Sequence, residues 1–235
     1  MSERTYVVID FETTGRKVRR DGGDHILGFG VAIGHLDVAT GMPVIESTCS
    51  VGIRPCATPP TTAAGWRELW RERSWDMSTC DEFWIGTDNA APRPLLATLN
   101  ALFVPANKHR VVDSYAEAAA LLNATIAAAE PYTLIVDCIC FDPWLANLLL
   151  VEHGYEPLTH TRTGSYRSGG TYDEDSILLY RVDERELLLR SREIAEAHTG
   201  VYFAGIEIGA HNPRWDAVNI LCRTLIEMST LNVIV

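Results

Sequence analysis

Two carboxylates two residues apart, Asp10 and Glu12, stand at the end of the apolar run Tyr6-Val7-Val8-Ile9 and are followed by Thr13-Thr14-Gly15. Residues i and i+2 of an extended strand face the same way, so this spacing sets the two carboxylates side by side. Adjacent anions at a strand end repel each other unless a cation lies between them. Hard divalent cations such as Mg²⁺ take oxygen ligands, and phosphoryl transfer uses a pair of them about 4 Å apart to hold the attacking and leaving oxygens. Asp10 and Glu12 supply half of such a cage. The same spacing is common on solvated strand faces, but Val7, Val8, Ile9 and Phe11 mark a buried central strand, where that reading fits poorly. Thr13-Thr14-Gly15 then forms a polar tight turn at which a ligand can approach the backbone.

Two further clusters carry the same chemistry. Phe141-Asp142-Pro143 follows the apolar run Leu134-Ile135-Val136 after a short link. An Asp before Pro is a good helix N-cap, and capping is compatible with metal binding. Asp137 is a nearby further acid, but Asp142 with its preceding Phe is the better ligand. Near the other end lies His211-Asn212-Pro213-Arg214-Trp215-Asp216-Ala217. Asn212 and Pro213 read as a cap and first turn, which leaves His211 on the preceding loop and puts Asp216 about one turn into a helix. A loop histidine titrating near neutral pH suits a general base that must reach a water, and a helix-held Asp suits a fixed ligand.

These residues need a scaffold. Thr5 to Asp10 is β-branched, and Ile26 to Ile53 is apolar on both sides of Ala39-Thr40-Gly41-Met42-Pro43, which predicts three consecutive strands, the last two a hairpin. Tyr115 to Glu130 has helical spacing and stops before Pro131, and Thr133 to Val136 reads as a buried strand. Helices are predicted from about Pro143 to His153, from Asp183 to His198 and after Pro213, with an irregular loop from Thr159 to Tyr172. From Pro55 to Pro94 the texture changes to Pro, Thr, charge and four tryptophans, Trp66, Trp70, Trp75 and Trp84. That stretch reads as an irregular, partly helical insertion. Its tryptophans can cover the site, stack on a base or pack on the core, and burial is the commonest use of large aromatics. If exposed, they would offer a homodimer face.

The 235 residues, 47% of them hydrophobic, suit one α/β domain. No basic segment leads into an apolar stretch at the N-terminus and no apolar run is long enough to span a bilayer, so the expectation is a soluble, cytoplasmic protein with no membrane partner. The six cysteines are scattered without a Cys-x-x-Cys pair, which fits reduced core thiols better than disulfides or a zinc site. The net charge of −11 would repel a polyanion at long range. Cations at the carboxylates, with Arg16, Lys17, Arg19, Arg20, Arg162 and Arg167 at the entry, would invert the field locally.

In order and spacing, Asp10-Phe11-Glu12-Thr13-Thr14-Gly15, Phe141-Asp142 and His211-x-x-x-x-Asp216-Ala217 resemble the three motifs of the DEDDh 3′-to-5′ exonuclease superfamily. The resemblance covers both ends of the chain and Asp142, and it lapses from Pro55 to Pro94. It implies an α/β, RNase H-like fold: a central mixed sheet flanked by helices, with residues 1–235 as one exonuclease domain and 55–94 as an insertion. It also implies a metal-dependent enzyme that releases 5′-mononucleotides from DNA or RNA with a free 3′ end. Asp10, Glu12, Asp142 and Asp216 match the acids that hold two divalent cations, Mg²⁺ or Mn²⁺, and His211 matches the general base. Thr13 and Thr14 match positions beside the terminal nucleotide, and Phe141 is counted with them as a substrate contact. Thr79 to Trp84 and Asp175-Ser176 are similar to phage exonuclease VIII-like enzymes. Asp137-Cys138-Ile139-Cys140 departs from the small or amide-bearing run of many relatives. Rival readings are a non-catalytic nucleic-acid-binding or assembly module on the same fold, and an RNase H-like endonuclease.

Overall fold

The computed structural model describes residues 4–18, 23–86, 95–136, 141–158, 163–165, 177–178, 184–199, 202–203, 206–207 and 211–230. In chain order the strands are β1 (Thr5–Thr13), β2 (Ile26–Asp37), β3 (Met42–Ile53), β4 (His109–Val112), β5 (Tyr132–Val136), β6 (Thr163–Ser165), β7 (Ile177–Leu178), β8 (Tyr202–Phe203) and β9 (Ile206–Glu207). The helices are α1 (Ala63–Glu72), α2 (Leu95–Ala101), α3 (Tyr115–Ala127), α4 (Asp142–Glu152), α5 (Glu184–Thr199) and α6 (Pro213–Thr230), and a single π-helical turn occupies Thr79–Trp84.

The first seven strands form one mixed sheet in the order β4-β3-β2-β1-β5-β6-β7, and β8 pairs with β9 separately. β2 runs antiparallel to both β1 and β3, whereas β4 is parallel to β3 and β5 to β1. The expected β2–β3 hairpin is present, turning at residues 38–41. β1 extends three residues past the expected end, so Asp10 and Glu12 lie within the strand and not beyond it. The protein is thus α/β, with a central mixed sheet flanked by helices.

Alternation along β1 divides the core into two layers. Val7, Ile9 and Phe11 face one side, where they pack with Ala118, Leu122 and Ile126 of α3 and with Leu145, Ala146 and Leu149 of α4. Tyr6 and Val8 face the other, against Val218, Leu221, Cys222 and Leu225 of α6. Asp10 and Glu12 share the parity of Tyr6 and Val8, so they continue the row that α6 covers. Burial on both faces makes β1 apolar for most of its length, with polar residues confined to its end.

The tryptophans form a third cluster. Trp66, Trp70, Trp75 and Trp84 pack with Leu69, Cys80, Leu99, Leu102 and Phe103 over Leu27 of β2, and Trp66, Trp70 and Trp84 are completely buried. An exposed tryptophan face for a homodimer is therefore not present: the rings are inside. α1 begins at Thr62, whose side chain accepts from the Gly65 amide, and buries Trp66, Leu69 and Trp70 at i, i+3, i+4 spacing. Among the described residues no helix is long and apolar enough to cross a membrane. Cys49, Cys56, Cys80 and Cys222 are free thiols; Cys138, Cys140 and Asp137 lie outside the described residues.

Candidate functional site

At the C-terminal end of β1 a cleft of about 1020 Å³ is lined by Asp10, Phe11, Glu12, Thr13, Gly15 and Arg16, by Phe141 and Asp142, and by His211 and Asp216. Three segments more than 60 residues apart thus meet there. Asp10, Glu12, Asp142, Asp216 and His211 all line the cleft, together with Thr13 and Phe141.

β1 supplies Asp10 and Glu12 on one face, with Glu12 buried and Asp10 half-buried. α6 reaches them because Gly30 of β2 sits opposite Asp10 in the ladder. A Cβ on Gly30 would stand 2.0 Å from the Pro213 carbonyl oxygen and 2.5 Å from the Arg214 nitrogen. Glycine lets the first turn of α6 rest on the strand backbone. That turn is capped as expected: Asn212 Oδ1 accepts from the Trp215 amide at 3.2 Å, and the Asn212 carbonyl accepts from the Asp216 amide at 2.9 Å. His211 precedes the cap in the left-handed region, φ +70°, where a residue with a Cβ is strained. Asp216 Oδ2 accepts a hydrogen bond from the His211 amide at 2.6 Å and holds it there.

His211 Nδ1 stands 3.5 Å from Glu12 Oε1, so this ring nitrogen faces the carboxylates. One potential ligand atom from each of Glu12, His211 and Asp216 lies within 4.8 Å of the others. Burial raises the Glu12 pKa well above its ordinary 4.5, because the anion is stripped of water. Burial also lowers the His211 pKa, an effect that Asp216 opposes. The imidazole is thereby kept neutral and able to accept a proton.

Asp142 arrives from the other helical layer. Described pairing between β1 and β5 stops at Val8 and Ile135, and beyond it the Phe11 amide donates to Asp142 Oδ1 at 3.0 Å. Asp142 is buried and is the first residue of α4, with Phe141 as the residue before it making no side-chain cap. The N-cap reading of Asp142 is corrected accordingly: its carboxylate is pinned to β1 instead.

Thr14 also differs from expectation. A register shift between Glu12 and Thr13 breaks the alternation, and Thr14 is fully buried, with its Oγ1 accepting from the His25 amide at 2.6 Å. Thr14 is not among the residues lining the cleft. Of the basic candidates, Arg16 lines it and Lys17 is exposed; Arg19, Arg20, Arg162 and Arg167 lie outside the described residues.

The sequence offered covering the site as one role of the insertion but named none of the residues of the opposite wall as site residues. Asp76, Ser78, Thr79, Glu82 and Phe83 of the 55–94 segment line the cleft, as do Asn219, Ile220 and Arg223 of α6. Trp84 Nε1 donates to the Thr13 carbonyl at 3.1 Å and Trp70 Nε1 to the Thr14 carbonyl at 3.3 Å. Buried Asp24 joins the same parts, accepting from the Lys17 amide at 2.7 Å and the Asp76 amide at 3.0 Å. For α6, the i, i+3, i+7 spacing of Asp216, Asn219 and Arg223 was a usable signal; for the insertion wall the signal was the resemblance of Thr79 to Trp84 alone.

No protein-family model and no curated protein matches the sequence, so the functional reading rests on the site itself.

Proposed function

We propose that the chain is a metal-dependent 3′-to-5′ exonuclease of the DEDDh type, on an RNase H-like fold, that hydrolyses the terminal phosphodiester of DNA or RNA. The observation that carries this reading is the convergence of Asp10, Glu12, Asp142, Asp216 and His211 on one cleft from β1, α4 and the start of α6. An acid cluster of this kind repels nucleic acid unless cations occupy it.

The donor set fits Mg²⁺ or Mn²⁺. It consists of carboxylate oxygens, the ligands that hard cations prefer, and the raised pKa of buried Glu12 measures a penalty that a bound cation offsets. When bound, a pair of such ions would activate the attacking water and stabilise the leaving 3′-oxygen. Asp10, Glu12, Asp142 and Asp216 would hold them, with Asp142 fixed by Phe11 and Asp216 by the His211 amide. His211 accepts the proton of the attacking water at Nδ1, the nitrogen turned toward the carboxylates. Thr13 and Phe141 line the same cleft and would contact the terminal nucleotide, and Arg16 would meet a backbone phosphate. The product is a 5′-mononucleotide.

The test is nucleotide release from a single-stranded oligonucleotide with Mg²⁺ or Mn²⁺, with chelator, and with the Asp10→Ala and His211→Ala variants. Release should require the ion and fall by roughly 10²-fold or more in each variant. Release that survives chelation or either substitution would sink the reading. Ion binding without release would favour a non-catalytic module instead.

A further inference from the structure

Phe83 and Trp84 are consecutive in the π-helical turn but differ in their main partners. Trp84 is fully buried and ties the turn to β1 through its hydrogen bond to the Thr13 carbonyl. Phe83 packs edge-on against the His211 ring, with centroids 4.2 Å apart and planes at 76°, and the Trp84 ring lies 6.2 Å from the same imidazole. The two aromatic rings also meet each other edge to face at 5.0 Å. π turns are uncommon and recur at functional sites, where the wider turn redirects side chains.

The backbone contacts at His211 fix its amide but not its side-chain torsions. Asp216 holds the His211 main chain, while the imidazole is partly exposed and has Glu12 at a distance of 3.5 Å, too long for a firm hydrogen bond. A ring free to rotate spends part of its time unable to reach a water beside the acids, and misplacement of about 1 Å is enough to slow catalysis substantially. Among the described residues, the aromatic rings set against that imidazole are Phe83 and Trp84 of the insertion.

We propose that Phe83 is a positioning residue for His211: the 55–94 insertion, locked to β1 through Trp84, acts as a backstop that holds the imidazole in the orientation the reaction needs. This rests on His211 being the base of the reaction proposed above. Phe83 acts through His211 and not through metal or substrate, so Phe83 and the acids belong to separable functions of one cleft.

The experiment compares Phe83→Leu, which keeps apolar bulk without the aromatic edge, with Phe83→Tyr, which keeps the ring. The first readout uses metal-free protein: the carbon-bound ring protons of His211, assigned with His211→Gln, are followed by NMR. In the wild-type protein the nearby aromatic ring shifts them from ordinary histidine positions. They should move toward those positions and broaden in Phe83→Leu, and stay in place in Phe83→Tyr. The second readout is steady-state hydrolysis with Mn²⁺, where Phe83→Leu should lower kcat about ten-fold with KM within two-fold, and Phe83→Tyr should restore it. Unchanged His211 resonances in Phe83→Leu would overturn the proposal. So would shifted resonances with unchanged kcat, or a rise in KM alone, which would make Phe83 a substrate contact. An inactive wild-type protein would refute the exonuclease reading, and the resonance arm would still decide whether Phe83 sets the imidazole.

Discussion

Asp216 and His211 are joined by a 2.6 Å hydrogen bond from the His211 amide to the Asp216 carboxylate, so the acid on α6 also fixes the loop that carries the base. One side chain thus has two duties that substitution can separate. Asp216→Asn retains an oxygen that can accept from the His211 amide and loses the anion. Thermal stability should change little, while metal-dependent hydrolysis falls roughly 10²-fold. Asp216→Ala should lose both, with destabilisation of about 1–2 kcal/mol from loss of the hydrogen bond that offsets the strain at His211. Equal melting temperatures for the Asn and Ala variants would contradict this division.

Divalent ions should stabilise the folded protein by an amount that grows with the logarithm of their concentration above the dissociation constant. Mn²⁺ at about one hundred times its dissociation constant adds about 2.7 kcal/mol of stability through binding to the native state alone. Melting followed across a Mn²⁺ titration should show a progressive rise that chelator reverses and that Glu12→Gln largely removes. A flat titration in the wild-type protein would rule out a metal centre.

Gly30 is needed because α6 lies directly on its backbone, with the Pro213 carbonyl 2.0 Å from where a Cβ would be. Both clashing groups are main chain and cannot swing aside. Gly30→Ala should cost about 1–3 kcal/mol by overpacking and should also reduce activity, because the turn that shifts carries Asn212 and leads to Asp216. Urea unfolding with parallel hydrolysis assays would check it; a stable variant with full activity would show that α6 tolerates displacement.

Buried His109 and half-buried His25 contribute to the response of stability to pH. His109 is 3% exposed, hydrogen-bonded to Ser50 Oγ and to the Leu102 carbonyl, and burial pushes its pKa down from 6.5 to about 4. His25, stacked between Trp75 and Tyr115, is pushed to about 4 in the same way. A histidine with a lowered folded pKa binds its proton more readily when unfolded. Stability is therefore complete above pH 6.5 and lost as pH falls from 6.5 toward 4, by roughly 3 kcal/mol for each group. Urea midpoints should fall between pH 7.5 and pH 5, and His109→Gln should flatten the slope. An identical slope in that variant would exclude His109 as a contributor.

Much of this was legible in the sequence where the signal is local. The Asp10-x-Glu12 spacing, the β2–β3 hairpin, the Asn212 cap and the position of Asp216 one turn into α6 follow from strand alternation, turn residues and helix capping. Thr14, read as a position beside the terminal nucleotide, is instead buried with its hydroxyl on the His25 amide, past a register shift after Glu12 that no composition rule announces. Asp142 looked like a cap because an Asp before Pro usually is one; its actual partner, the Phe11 amide, lies 131 residues away. Trp84 could be read as covering the site, stacking on a base or packing on the core, and neither it nor Phe83 could be assigned a partner, because their contacts lie 71 and 128 residues away, at Thr13 and His211. Burial of the tryptophans follows from their bulk, but which elements they bridge does not.

The most direct measurement is a time course of 5′-labelled linear DNA and RNA oligonucleotides with Mg²⁺ or Mn²⁺, alongside a circular single strand, resolved by length. The expected result is a ladder that shortens from the 3′ end with 5′-mononucleotides as product, an intact circle, and no ladder for Asp10→Ala. Cleavage of the circle as fast as the linear strand, or a ladder undiminished by Asp10→Ala, would contradict a 3′-to-5′ exonuclease built on these acids.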